Sequence, residues 1–249
     1  MDNTKERPII FNAQEVNAVL AGDKTQHRVP INIKSWGAPE FMGSRDCDKK
    51  IALNWGWDNF DNEDTVLLPD LGCPMGRIGD RLWVQEVIGS GCRSTEHGAV
   101  DGVEYKADEA HQDKDDWDWL PLRELDSIAD ADTDEFAEIE GMGWLEPENM
   151  PRWASRILLE ITDIRIERLN DISEQDAIAE GIKYIHADPK NRVGPNHFTK
   201  SNGWYHCSRP TAAEVFKEMY TVSDDYEEHG ENPWVWVIEF KSIKESDNG

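Results

Sequence analysis

The chain has 249 residues, enough for one large domain or two small ones, and its 38% hydrophobic content supplies a packed core that a disordered chain lacks. Its 51 acidic residues against 26 basic ones leave a net charge of −25. That charge argues against a wide, sequence-independent grip on a phosphate backbone and leaves room for a local pocket; it equally suits a basic partner or imitation of nucleic acid.

In chain order, residues 8–11 (PIIF) read as a short buried strand. Asn12 caps a helix over 13–21 with Val16, Val19 and Leu20 on one face, and Gly22 ends it. A polar loop, Asp23 to Arg28, follows directly. From 33 to 79 the pattern is loose, with Trp36, Trp55, Trp57 and Phe60 set among polar residues. Turn chemistry at 71–80 leads into a strong strand over 81–87, RLWVQEV. Eleven tryptophans are many for this length. Most suit core and loop anchoring, while one or two suit a platform on which a base stacks, and Trp83 of this strand is the one assigned to ligand.

Residues 104–148 carry 17 acidic side chains against three basic ones. They read as a solvated insertion, partly helical around 132–139, or as a docking surface or nucleic-acid mimic. Alternation returns over 153–161 and continues to Leu169, long enough for two strands or one bent strand. Ser173 caps a helix with Asp176 three residues on, and the helix runs through Glu180 to Gly181. A second irregular segment covers 183–209. Thr211 caps a further helix with Val215, Phe216 and Met219 at core spacing, and NPWVWVIEF (232–240) is the closing strand. Short strands separated by two or three helices suggest a mixed barrel or an α+β sheet rather than a doubly wound one, in a single domain over 1–249 interrupted by an acidic insertion at about 88–150 and an irregular one at 183–209.

Cys47, Cys73, Cys92 and Cys207 are scattered without a tight pair, so free thiols in a reducing cytoplasm are expected, with no metal and no cofactor. No apolar run approaches the roughly 18 residues of a membrane span, and the first residues lack a secretory core. A zinc-deaminase motif, a P-loop, a dinucleotide fingerprint and a Gly-x-Ser-x-Gly elbow are all missing from the sequence.

Four blocks, in order, resemble the ASCH family of PUA-like domains: LAGDKTQHR after a short helix, GDRLWVQE, LNDISEQDAIAEGI and NPWVWVIEF. With the acidic stretch before MPRWASRILLEI, the arrangement looks like the enlarged ASCH-like proteins of bacteriophages and prophages. The resemblance spans about 110 residues by this block reading and implies a PUA-like barrel. It also implies either an amidohydrolase that removes the acetyl group of N(4)-acetylcytidine or a protein that binds RNA or DNA without chemistry. Carried over by position, the family's catalytic lysine matches Lys24 and its glutamate matches Glu180, while its threonine falls on His27. Thr25 is adjacent, but one residue along an extended loop usually points the other way.

Amide cleavage needs a nucleophile or activated water, a base, and stabilisation of the oxyanion. Lys24 serves as base, Glu180 orients it or carries protons, and His27 stands in for the missing hydroxyl as a base for water. Thr25 and Arg28 are assigned to ligand binding, Arg28 supplying positive charge to a phosphate or carbonyl oxygen. Each has a plainer reading: Lys24 and Arg28 cover a helix end, Glu180 pairs with Lys183 at the surface, and His27 is a solvated loop histidine. Two other functions compete. A non-enzymatic nucleic-acid reader would use the early cations Lys24, Arg28, Lys34, Arg45, Lys49 and Lys50. An interaction protein would use the acidic stretch to engage a host protein.

Overall fold

The computed structural model describes residues 4–31, 44–47, 50–53, 66–67, 72–95, 98–110, 118–121, 143–185, 197–200, 203–204, 211–221, 223, 225 and 229–243. In chain order the first elements are β1 (Glu6–Ile10), α1 (Ala13–Leu20), β2 (Gln26–Pro30), β3 (Ser44–Cys47), β4 (Lys50–Leu53), β5 (Val66–Leu67) and β6 (Arg81–Gln85). Then come β7 (Ile88–Thr95), β8 (Gly98–Tyr105), β9 (Trp119–Pro121), β10 (Trp144–Leu145), β11 (Leu158–Arg168) and α2 (Glu174–Ala179). The last are β12 (Lys183–Ile185), β13 (His197–Lys200), β14 (Gly203–Trp204), α3 (Ala212–Tyr220) and β15 (Trp234–Ile243). Two compact units emerge: Met1–Asp23, Asp80–Glu160 and Lys241–Gly249 in one, Lys24–Gly79 and Ile161–Phe240 in the other.

In the first unit β1 pairs parallel with β6, and β6 pairs antiparallel with the start of β11. Helix α1 opens on a reciprocal capping box, Asn12 accepting from Glu15 N while Glu15 accepts from Asn12 N, which satisfies two of the helix's orphan donors. Val16, Ala18 and Val19 are buried, whereas Leu20, expected on the same face, is exposed at the last turn. A separate sheet runs β10-β7-β8-β9. Its inner side, with Ile88, Val103 and Tyr105, packs on Met150, Trp153 and Ala154. The described parts of the acidic stretch are therefore built into a sheet with a core of its own, because Val103 and Tyr105 alternate onto one face. Strand β6 ends at Gln85, two residues short of the expected limit. Glu86 leaves it to be held by Arg156. Over 152–154 a short 3-10 turn after Pro151 replaces the expected strand, which begins only at Leu158. Ser155 Oγ there donates to the carbonyl of Val84 at 2.8 Å.

In the second unit the strand order is β11-β15-β2, and β2 pairs antiparallel with Val235–Glu239. Helices α2 and α3 share a core of Ile172, Ala177, Ile182, Ala212 and Val215, against which Phe216 and Met219 are partly buried. Thr211 caps α3 as its sequence pattern requires. Glu174 adds a second tie, its carboxylate accepting from Ala212 N at 2.9 Å and Ala213 N at 3.1 Å.

The class is thus mixed and sheet-rich with short helices, as expected for α+β. The barrel is not: among the described residues the sheets are open and no barrel closes. The expected helix at 132–139, Trp36, Trp55, Trp57, Phe60 and most of 183–209 lie outside the described residues. Also among the described residues, no helix is long and apolar enough to cross a membrane.

One close approach fixes the β8–β9 register. A Cβ on Gly102 would come within 2.5 Å of Trp119 Cζ3 and would also strike the Leu120 carbonyl oxygen. Gly102→Ala should therefore lower unfolding stability by about 1–3 kcal/mol, the usual cost of overpacking. Urea unfolding followed by tryptophan fluorescence checks this; an unchanged midpoint would refute the packing described.

Candidate functional site

The site is built where β2 meets the end of α2. Gly22, at φ +77°, ends α1 in the left-handed conformation that glycine adopts without strain, and the chain then turns into Lys24. Lys24 and Glu180 form an isolated antiparallel bridge. Thr25 N donates to the carbonyl of Ala179 at 2.9 Å, and Thr25 O accepts from Phe240 N at 2.9 Å. The backbone of the loop is thus held on both sides. From here the two-residue period of β2 sends Lys24, Gln26 and Arg28 to one buried face, and Thr25 and His27 to the other.

Glu180 reaches the site because α2 stops there. Ser173 caps the helix, accepting from Asp176 N at 3.1 Å, and Glu180 is the C-terminal cap, followed by Gly181 at φ +95°. Its carboxylate is shared. Lys24 Nζ donates to Oε2 at 3.1 Å and to the Glu180 carbonyl at 3.1 Å, while Arg28 Nη1 donates to Oε1 at 2.9 Å. These three side chains are only 2%, 4% and 1% exposed for Lys24, Glu180 and Arg28 respectively.

A second layer surrounds them. Arg28 Nη2 donates to Glu167 Oε2 at 3.2 Å and lies 3.7 Å from Asp176 Oδ2. The other oxygens of those two carboxylates hold Arg165, through Nε to Glu167 Oε1 at 2.6 Å and Nη2 to Asp176 Oδ1 at 2.9 Å. Arg165 Nη1 also pairs with Glu239 of β15. Gln26 bridges the layers: with its amide oxygen toward Arg28 Nη2 (3.1 Å), its nitrogen donates to Asp176 Oδ1 (3.0 Å). Three cations thus face five carboxylates, the fifth being Asp163 at 4.0 Å from Arg165 Nη1. Burial pushes the Asp176 carboxyl up, but the Ser173 hydroxyl and the Arg165 and Arg28 guanidiniums outweigh it and hold it below its ordinary 3.8. Burial pulls Arg165 down, yet its hydrogen bond to Glu167, with the charges of its other partners, raises it overall.

The expected residues divide accordingly. Lys24, Glu180 and Arg28 come together in the core. His27 is half-buried, with Ile238 as its register partner, on the opposite side of β2, and Thr25 is exposed. Trp83 is half-buried on β6 in the first unit, with the Arg152 guanidinium 6.0 Å from its ring centroid. Glu180, whose plainer reading was a surface residue, is turned inward by the cap to Lys24 and Arg28. Gln26, Arg165, Glu167 and Glu239 were not singled out from sequence, and Asp176 was read only as a capping residue. The sequence carries no signal for Gln26, since residues 23–28 are all polar and show no polar–apolar alternation. Of the early cations, Lys34 and Lys49 lie outside the described residues. Among the described residues no group of His, Cys, Asp and Glu is arranged to hold a metal ion.

The first unit holds a cluster of similar build around Arg156. Its guanidinium grips Glu86 through Nε–Oε1 at 2.9 Å and Nη2–Oε2 at 3.0 Å, and it also reaches Asp108 and Asp118 at 2.9 Å each. It lies 4.1 Å from the Tyr105 ring centroid. Burial drives the Glu86 carboxyl up further than Arg156 draws it down, so its net shift is upward. Asp108 also accepts from Asp118 N at 2.8 Å, which makes this cluster a clamp on the β8–β9 connection.

Comparison of the chain with known protein families, with curated proteins and with solved structures gives no match.

The sharing of Glu180 sets an order of stability. Arg28→Met leaves Glu180, Glu167 and Asp176 short of a buried cation and should cost about 3–5 kcal/mol. Lys24→Met should cost less, because Glu180 keeps Arg28. Equilibrium unfolding of the two variants side by side decides it, and a reversed order would show that Arg28 is not the main counter-charge.

Proposed function

We propose that the protein binds a nucleoside or modified base and hydrolyses an N-acyl amide of the N(4)-acetylcytidine type. The reading is carried by one observation, the buried contact of Lys24 Nζ with Glu180 Oε2 at 3.1 Å, made by the two residues whose positions match the catalytic pair of the family that the sequence resembles. A lysine and a carboxylate in contact away from water form a proton-transfer pair, which is what amide cleavage requires.

With His27 and Thr25 on the other side of β2, the nucleophile in this reading is water. Glu180 takes a proton from the water as its oxygen bonds to the acyl carbon. Arg28 stabilises the negative charge developing on the acyl oxygen. The bond from the acyl carbon to the exocyclic nitrogen then breaks, Lys24 gives its proton to the leaving amine, and the proton on Glu180 returns to Lys24. The products are the carboxylic acid and the free amino base, so atoms and charge balance without a cofactor.

The test is turnover of N(4)-acetylcytidine by the full chain, with Lys24→Met and Glu180→Gln as variants whose folding is verified by circular dichroism. The expected result is deacetylation by the wild type and a loss of at least about 100-fold in both variants, the lower bound for removing a general acid or base. Turnover that survives both substitutions would overturn the assignment of the pair. Binding without turnover would remove the hydrolysis and leave a base-binding protein.

A further inference from the structure

Lys24, Glu180 and Arg28 are all but sealed, yet the layer outside them is not. Arg165 is 27% exposed and Glu239 is 42% exposed. Glu167 and Asp176 each give one oxygen to buried Arg28 and the other to Arg165. The two guanidiniums therefore stand one behind the other across the same pair of carboxylates, with Arg165 on the solvent side. Removal of Arg165 leaves Glu167 and Asp176 still paired with Arg28, so the inner layer keeps its counter-charge.

What Arg165 occupies is a built receptor. Carboxylates from β11 (Glu167), α2 (Asp176) and β15 (Glu239) converge on one planar, donor-rich group. A complementary donor belongs to the same cluster: Arg28 Nε is buried and finds no acceptor among the described residues. Acceptors that gather around a plane, with an unmet donor in the layer behind, match a group carrying N–H donors next to a carbonyl. The exocyclic amine and ring carbonyl of a cytosine-type base have that pattern, and carboxylates commonly accept from the cytosine amine.

We infer that Arg165 is a tethered, displaceable occupant of a ligand subsite, and that the carboxylates of Glu167, Asp176 and Glu239 receive the donor-bearing edge of the base when Arg165 swings out. The identity of the ligand rests on the nucleoside reading above; the displaceable occupant does not. In the resting protein Arg165 competes with ligand and lowers apparent affinity by the fraction of molecules in which it is docked.

The experiment uses the full chain as wild type, Arg165→Ala and Arg165→Gln, the second keeping the assay valid should the first fold poorly. Thermal unfolding is followed in low-millimolar guanidinium chloride against equal sodium chloride and urea, and cytidine binding is followed by calorimetry. Guanidinium, but neither control, should restore the melting temperature of the Arg165 variants, and adding Glu239→Gln should abolish that rescue. Cytidine affinity should rise about tenfold in the variants, as expected when a competing conformer is removed. No rescue together with unchanged or weaker cytidine binding would overturn the inference. Rescue without cytidine binding by any form would uphold Arg165 as a displaceable occupant and overturn the nucleoside as its competitor.

Discussion

The carboxylate of Glu180 is the point on which the second unit's polar core depends. It gives one oxygen to Lys24 and the other to Arg28, and its own carbonyl takes a further hydrogen bond from Lys24. Two cations removed from water would be costly to hold alone, since desolvation of an ion outweighs most single contacts. Sharing one carboxylate, with Glu167 and Asp176 beyond it, satisfies each charge through several bonds. The backbone makes this possible: α2 ends one residue before Glu180, and Thr25 N ties β2 to the last residue of that helix. Helix end, strand start and ion pair therefore form together.

Both units solve a similar problem with a guanidinium at the centre. Arg156 collects Glu86, Asp108 and Asp118, while Arg28 and Arg165 divide Glu167 and Asp176 between them. The fork of five donors suits several carboxylates at once, which a lysine ammonium cannot match in plane. Arg156 ties the two ends of a chain connection, Asp108 and Asp118, so its role is that of a clamp. Both networks grade from sealed to exposed, from Glu86 to Asp118 in the first unit and from Lys24 to Glu239 in the second.

Much of the fold was legible in the sequence. Asn12, Ser173 and Thr211 announced three helix starts through their capping chemistry, and Gly22 announced one helix end. The chain around the closing strand was equally plain. The sheet order was not, because pairing depends on contacts far apart in sequence that periodicity does not encode; the expected barrel gave way to open sheets for this reason. The acidic stretch misled in its described part, since counting charges hid the alternation of Val103 and Tyr105 and gave no sign that Arg156 would neutralise Asp108. For the site, resemblance located Lys24 and Glu180, but their meeting through a helix cap was not readable from spacing. His27 was placed beside Lys24 by position in the resemblance and Thr25 was assigned to ligand, and the two-residue period of a strand sends both to the other side. Arg165, Glu167 and Glu239 escaped notice because they enter from strands more than 130 residues away, as the contact of Arg28 with Glu167 at |i−j| = 139 illustrates.

The most direct test of this account is where a nucleoside acts on the protein. Titration of the isotopically labelled chain with N(4)-acetylcytidine, followed by backbone and side-chain NMR, locates the contact without relying on turnover. The account expects the shifts to gather at residues 24–28 and 176–181, with side-chain signals of Lys24 and Arg28 among the largest. Shifts confined to the β7–β9 sheet, or none at saturating nucleoside, would contradict it.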